Sequence, residues 1–158
     1  MAIRFNERKI YLTAAHVLDG EKCYVFAGGL SMSCTVQLLN READLAVLRI
    51  AEHGVFEPVP LDPAPQLGEK VWIVGYAGPL TVPGVIETVY SPIHYESNRQ
   101  LVFSTVPLGF SGSAVLSKRG LVGIVQAVYW TNDPPFAYTI YTPARVIAEV
   151  IVEVVEEP

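Results

Sequence analysis

Cys23-Tyr-Val-Phe-Ala27-Gly28-Gly29-Leu30-Ser-Met-Ser-Cys34-Thr-Val-Gln-Leu38 reads as two β-strands closed by a tight hairpin. Gly28-Gly29 readily supplies the positive φ values that a two-residue hairpin loop requires. With that loop, Ala27 faces Leu30, Val25 faces Met32 and Cys23 faces Cys34. Side chains alternate across a strand, so Cys23, Val25, Ala27, Met32, Cys34 and Val36 share one apolar face. Counting outward from the loop makes Cys23–Cys34 a hydrogen-bonded pair. Two readings of the neighbouring sulfurs stand: a pair of buried thiols, or a disulfide.

The same grammar continues in both directions. Short runs rich in Val, Ile, Tyr and Thr are separated by Gly, Pro, Asn and Asp, the pattern of an all-β chain. Before the hairpin, Ile3–Phe5 and Ile10–Thr13 flank the polar turn Asn6–Lys9. After it come Leu45–Ile50, Lys70–Val74, Gly84–Tyr90, Gln100–Thr105, Ser113–Leu116, Leu121–Tyr129 and Phe136–Thr142. Proline-rich Pro58–Leu67 reads as a linker. The expected division is one domain over residues 1–158: a first lobe at about 1–57, a linker at 58–67 and a second lobe at 68–142. A helix is expected over 143–155, because Pro143 suits a first helical turn and Val146, Ile147, Val150, Ile151 and Val154 recur at helical spacing.

Composition narrows the function classes. Hydrophobic residues make up 51% of the 158-residue chain and charged residues 17%, enough apolar mass for a core and too little charge for disorder. The net charge of -5 opposes nucleic-acid binding, which needs a basic footprint. No stretch nears the roughly 18 consecutive apolar residues of a membrane span, and Arg4, Glu7, Arg8 and Lys9 break any secretory pattern. His53 and His94 sit in turn-like surroundings and make no metal-ligand spacing, so neither a metal nor a cofactor is expected.

Three stretches carry chemistry. In Tyr11-Leu-Thr-Ala-Ala-His16-Val-Leu18, a histidine follows a strand and two alanines, whose small side chains leave the imidazole uncrowded. In Arg41-Glu-Ala-Asp44-Leu-Ala-Val-Leu48, an aspartate opens an apolar strand and sits at the edge of a core. In Leu108-Gly-Phe-Ser111-Gly-Ser113-Ala-Val115, a serine stands between glycines ahead of a strand. Singly, each is as well explained by a turn, a cap or a satisfied structural residue.

Together, in the order His, Asp, Ser across two β-rich halves, they resemble the trypsin-like, chymotrypsin-fold serine peptidases. Thr13-Ala-Ala-His16 matches that family's histidine motif, Asp44-Leu-Ala-Val-Leu48 its aspartate motif and Gly109-Phe-Ser111-Gly-Ser113 its serine motif. Gly68-Glu-Lys-Val-Trp-Ile-Val-Gly75 is most similar to compact bacterial and viral HtrA-like members. The resemblance implies two six-stranded antiparallel β-barrels with the active-site cleft between them and a C-terminal α-helix. It implies a serine endopeptidase in which Ser111 is nucleophile, His16 general base and Asp44 orienter. The backbone N–H groups of Gly109 and Ser111 would form the oxyanion hole.

By the same motif alignment Thr105 falls near the base of the primary specificity pocket, Gln126, Ala127 and Val128 form its wall and pair with substrate as an added strand, and Phe136 closes the far side. No charged residue is placed there, which favours an uncharged substrate side chain. The expected partner is a peptide or protein substrate. Two other readings of the same fold are a non-catalytic binding module and an esterase-like hydrolase.

The chain also departs from the family. Phe110 replaces the aspartate that orders the serine loop of secreted members through an ion pair. Only one strand, Met1–Phe5, precedes Ile10–Thr13, so the first barrel is expected to be short of a strand. An open edge of that kind invites a homo-oligomer or a larger precursor.

Overall fold

The computed structural model describes residues 1–5, 8–18, 20, 22–27, 30–50, 57–77, 82–96, 98–132 and 135–155. The Gly28-Gly29 loop, Asn6 and Glu7 of the first turn, and His53 lie outside the described residues. The chain forms two β-sheets and a C-terminal helix. The first sheet holds β1 (Ala2–Phe5), β2 (Arg8–Ala14), β3 (Lys22–Ala27), β4 (Leu30–Asn40), β5 (Leu45–Ile50) and β6 (Val59–Pro60), in the spatial order β3-β4-β5-β2-β1-β6. The second holds β7 (Lys70–Ala77), β8 (Val82–Val89), β9 (Ile93–Glu96), β10 (Arg99–Phe103), β11 (Ala114–Leu116), β12 (Leu121–Asn132) and β13 (Pro135–Pro143), in the order β8-β7-β11-β12-β13-β10-β9.

The hairpin register agrees with the alternation argument. Cys23 pairs with Cys34, Val25 with Met32 and Ala27 with Leu30. Of the two readings of the sulfurs, the structure holds the disulfide, with the Cα atoms 5.1 Å apart. Cys23, Met32 and Cys34 are buried with Tyr11, Ala46 and Leu48, and Val25 and Val36 pack against that cluster.

The sixth strand of the first sheet comes from the proline-rich linker, which the sequence marks only as a connection. Val59–Pro60 pairs in parallel with Ile3 and Arg4 of β1. Proline's missing N–H confines such a segment to a sheet edge. Among the described residues no ladder joins β3 to β6. The linker is then fastened to the second sheet. Leu61 bridges Leu121, and the buried Asp62 carboxylate accepts from Ser117 Oγ at 2.5 Å and Arg119 Nη2 at 3.0 Å. Glu69 and Asp62 together hold the Arg119 guanidinium firmly charged.

The helix α1 (Ala144–Val155) starts one residue later than the spacing predicts, because Pro143 still pairs with Gly123 as the end of β13. Its Val146, Ile147, Val150 and Ile151 are buried against Ile3, Leu12, Leu45 and Val47 of the first sheet and Ala114, Leu121 and Ile124 of the second. One apolar cluster thus spans both sheets, and the helix closes it. Fully burying each such aliphatic side chain contributes about 1.5–3 kcal/mol, so this junction is a major source of cohesion. No helix among the described residues is long and apolar enough to cross a membrane.

Candidate active site

His16 and Asp44 are brought together by strand register. Ala14, the last residue of β2, pairs with Leu45, the first of β5. His16 lies just beyond one strand end, and Asp44 just before the facing one. A 3-10 turn at Ala15–Val17 follows β2, and Ala15 N donates to Asp44 O at 3.1 Å. Ala14 and Ala15 are almost fully buried, and their methyl groups let the two strand ends close. His16 Nδ1 then lies 2.7 Å from Asp44 Oδ2, and His16 N donates to Asp44 Oδ1 at 2.8 Å. Asp44 takes φ +48°, a left-handed conformation that Asp tolerates better than most residues.

Ser111 is carried by two successive turns. Phe110 N donates to Pro107 O at 3.3 Å, and Ser113 N donates to Phe110 O at 2.9 Å. Each turn has a glycine at its third position with positive φ, Gly109 at +94° and Gly112 at +81°, as a type II turn demands. Gly112 N donates to Val125 O and Val125 N donates to Ser113 O, which ties the loop to β12. Neither Gly109 N nor Ser111 N donates to any acceptor among the described residues. Among the described residues two backbone donors are therefore free at the serine loop.

Phe110 packs the serine loop into the apolar core of the second sheet. Its side chain is 1% exposed, within a cluster containing Val71, Ile73, Val106, Val115 and Tyr141. Gly75 and Gly84 leave room for the ring: a Cβ on Gly84 would stand 3.0 Å from Phe110 Cζ. Apolar burial anchors the loop here. Behind it, burial and the neighbouring Tyr90 push the Tyr141 phenol far up, so it stays neutral and donates to Gln100 Oε1 at 2.8 Å.

The Ser111 hydroxyl points away from His16. Ser111 Oγ donates to the carbonyl of Gln126 at 2.9 Å, and no hydrogen bond joins it to His16. A cavity of about 690 Å³ opens between the sheets beside this loop, lined by Thr13, Val17, Leu48, Gly75, Tyr76 and Ser111 among others.

The remaining residues singled out from the sequence occupy different environments. Thr105 and Ala127 are exposed and Val128 is half-buried. Phe136 is exposed and stacks edge-on with Phe103, ring centres 5.8 Å apart. The Gln126 side chain is 4% exposed and turns into the interior. Its register is the reason. The β12–β13 ladder shifts between Val125 and Ala127, and the bulge re-aims the intervening residue. Its amide meets Ala43 and Thr142, neither of which the sequence marks as part of the site. Among the described residues no group of three or more His, Cys, Asp or Glu is placed to hold a metal ion.

Two sheets meet at a cleft, with a paired His and Asp on one side and a serine between glycine turns on the other. The chain belongs to the trypsin-like peptidase domain family, whose match spans residues 1–124 and includes His16, Asp44 and Ser111. Its fold is similar to that of the serine endoprotease from Yersinia pestis, with a TM-score of 0.78 at 20% sequence identity. That similarity covers 99% of this chain and 57% of the endoprotease, so the chain spans little more than half of that protein's length. No curated protein matches it in sequence.

Proposed function

We propose that the chain is a serine endopeptidase acting through Ser111, His16 and Asp44. The observation that carries this reading is the doubly bonded His16–Asp44 pair set across the cleft from a serine loop with two unused N–H donors. A serine hydroxyl is a weak nucleophile at neutral pH and needs an adjacent base. For attack, the Ser111 hydroxyl leaves the Gln126 carbonyl and turns to His16 Nε2, a side-chain rotation that costs little time.

His16 takes the hydroxyl proton as Ser111 Oγ bonds to the peptide carbonyl carbon. The oxyanion accepts hydrogen bonds from Gly109 N and Ser111 N. The imidazolium, stabilised by Asp44, passes its proton to the leaving amine as the C–N bond breaks. Water then hydrolyses the acyl-enzyme by the same steps in reverse order. Thr105, Ala127, Val128 and Phe136 bring no charge to the substrate, which supports an uncharged primary side chain.

The reading is tested with a fluorophosphonate probe on the wild type and on Ser111→Ala. Labelling of the wild type that vanishes in Ser111→Ala is the expected result. Absence of Ser111-dependent labelling in folded protein would refute the proposal and favour a non-catalytic module. Hydrolysis of a peptide library should then show preference for uncharged residues over Lys, Arg, Asp and Glu before the cut bond.

A further inference from the structure

We propose that Gln126 is a positioning residue, holding Asp44 in line with His16 from the opposite sheet. The proposal rests on the peptidase reading above. Gln126 Nε2 donates to the carbonyl of Ala43 at 2.8 Å and also to Thr142 Oγ1. Thr142 Oγ1 in turn donates to the same Ala43 carbonyl at 2.7 Å. Two buried polar groups from the second sheet thus converge on one oxygen of the first.

That oxygen is well placed to control Asp44. The Ala43 C=O and the Asp44 N–H share one planar peptide unit, so fixing the carbonyl fixes the plane from which Asp44 departs. The other side of Ala43 is held as well, by its N–H donating to Asn40 Oδ1 at 2.9 Å. Asp44 then leaves in its left-handed conformation, with both carboxylate oxygens on His16. A loosened Ala43 carbonyl would free that conformation to relax.

The surroundings argue for more than filling. Ala43 belongs to the apolar cluster shared with Ala114 and Ile124, where an aliphatic side chain would bury at no polar cost. A polar group retained there needs partners, and Gln126 Nε2 and Thr142 Oγ1 both have them, which favours one geometry. Gln126 also accepts the resting Ser111 hydroxyl through its own carbonyl. A single bulge residue therefore touches the nucleophile by its main chain and the Asp44 arm by its side chain.

The test compares Gln126→Met, which keeps the length and removes the amide, with wild type. We expect kcat to fall by about tenfold or more with KM within about twofold, since only the transition state needs a held imidazolium. The downfield proton resonance of His16 Nδ1–H should move upfield or broaden. Thr142→Val removes the second donor at constant volume and should act in the same direction, while Thr142→Ser should retain wild-type values. Folded Gln126→Met with unchanged kcat, KM and resonance would overturn the proposal, whatever its melting temperature. If Gln126→Met does not fold, Thr142→Val is judged by the same criteria. The resonance can be read with or without turnover. A chain that Ser111 probes fail to label, yet whose His16 signal shifts in Gln126→Met, would reject the peptidase and keep the positioning role.

Discussion

Gly112 rests so closely on Thr13 that no β-carbon fits between them: a Cβ built on Gly112 would collide with Thr13 Oγ1 and stand 3.3 Å from Ala14 N. The serine loop of one sheet is thereby pressed against the strand of the other that ends at Ala14, just before His16. Close approach and a φ of +81° both require glycine at this point.

Gly112→Ala should therefore destabilise the fold by about 1–3 kcal/mol and slow Ser111 labelling. Thr13→Ala in the same background should recover part of the stability, because it removes the collision and leaves the backbone strain. Urea denaturation of the three variants measures both effects.

Gly109 carries φ +94° and an unused N–H. If that N–H stabilises the oxyanion, Gly109→Ala, by turning the amide away, should lower kcat by about 10²–10³ with little change in KM. Steady-state kinetics on a peptide substrate gives the split. A proportional rise in KM at constant kcat would assign the loop to ground-state binding.

Asp62 is 5% exposed and is the buried partner of Ser117 and Arg119. Asp62→Ala removes the carboxylate that joins the linker to Ser117 and Arg119, while the main-chain bond from residue 62 N to Leu121 O remains. A loss of about 2–3 kcal/mol is expected, since hydrogen bonds to a buried charge are the strong ones. Arg119→Ala should cost less, because Arg119 is 46% exposed and solvent screens its ion pairs. Chemical denaturation at neutral pH orders the two.

The Cys23–Cys34 bridge closes a loop of sequence separation 11. Reduction should lower stability by about 3 kcal/mol through the restored freedom of the unfolded chain. Both cysteines are buried, so a thiol reagent should modify them only after reduction and unfolding. Mass spectrometry before and after reductant counts the labels.

Much of the fold is legible where the signal is local. The Cys23–Cys34 register follows from a two-residue loop and the two-residue repeat of a strand, both contained in sixteen consecutive residues. The helical face of Val146, Ile147, Val150 and Ile151 is equally local. Strands without such a signal are not legible in the sequence. All four residues of β9, Ile93–Glu96, are exposed, and the strand exists because β10 offers an edge. Val59–Pro60 becomes a strand only against β1. The β12–β13 hairpin runs on to Asn132 and Pro135, beyond the expected ends at Tyr129 and Phe136, supported by the cross-strand pair Tyr129–Tyr138.

The candidate site divides along the same line. His16, Asp44, Ser111 and Gly109 can be named from sequence, because each sits in a short stretch whose residue types suit its chemistry and whose order is that of one family. Sequence alone determined the all-β class, the hairpin register and these candidates. Only the tertiary structure decided that Ser111 rests on Gln126, that Phe110 anchors the serine loop by burial, and that Gln126 reaches Ala43 across 83 residues. Such contacts depend on a bulge and on two sheets meeting at one angle. No local pattern encodes either, because both are set by how the cores of the sheets pack.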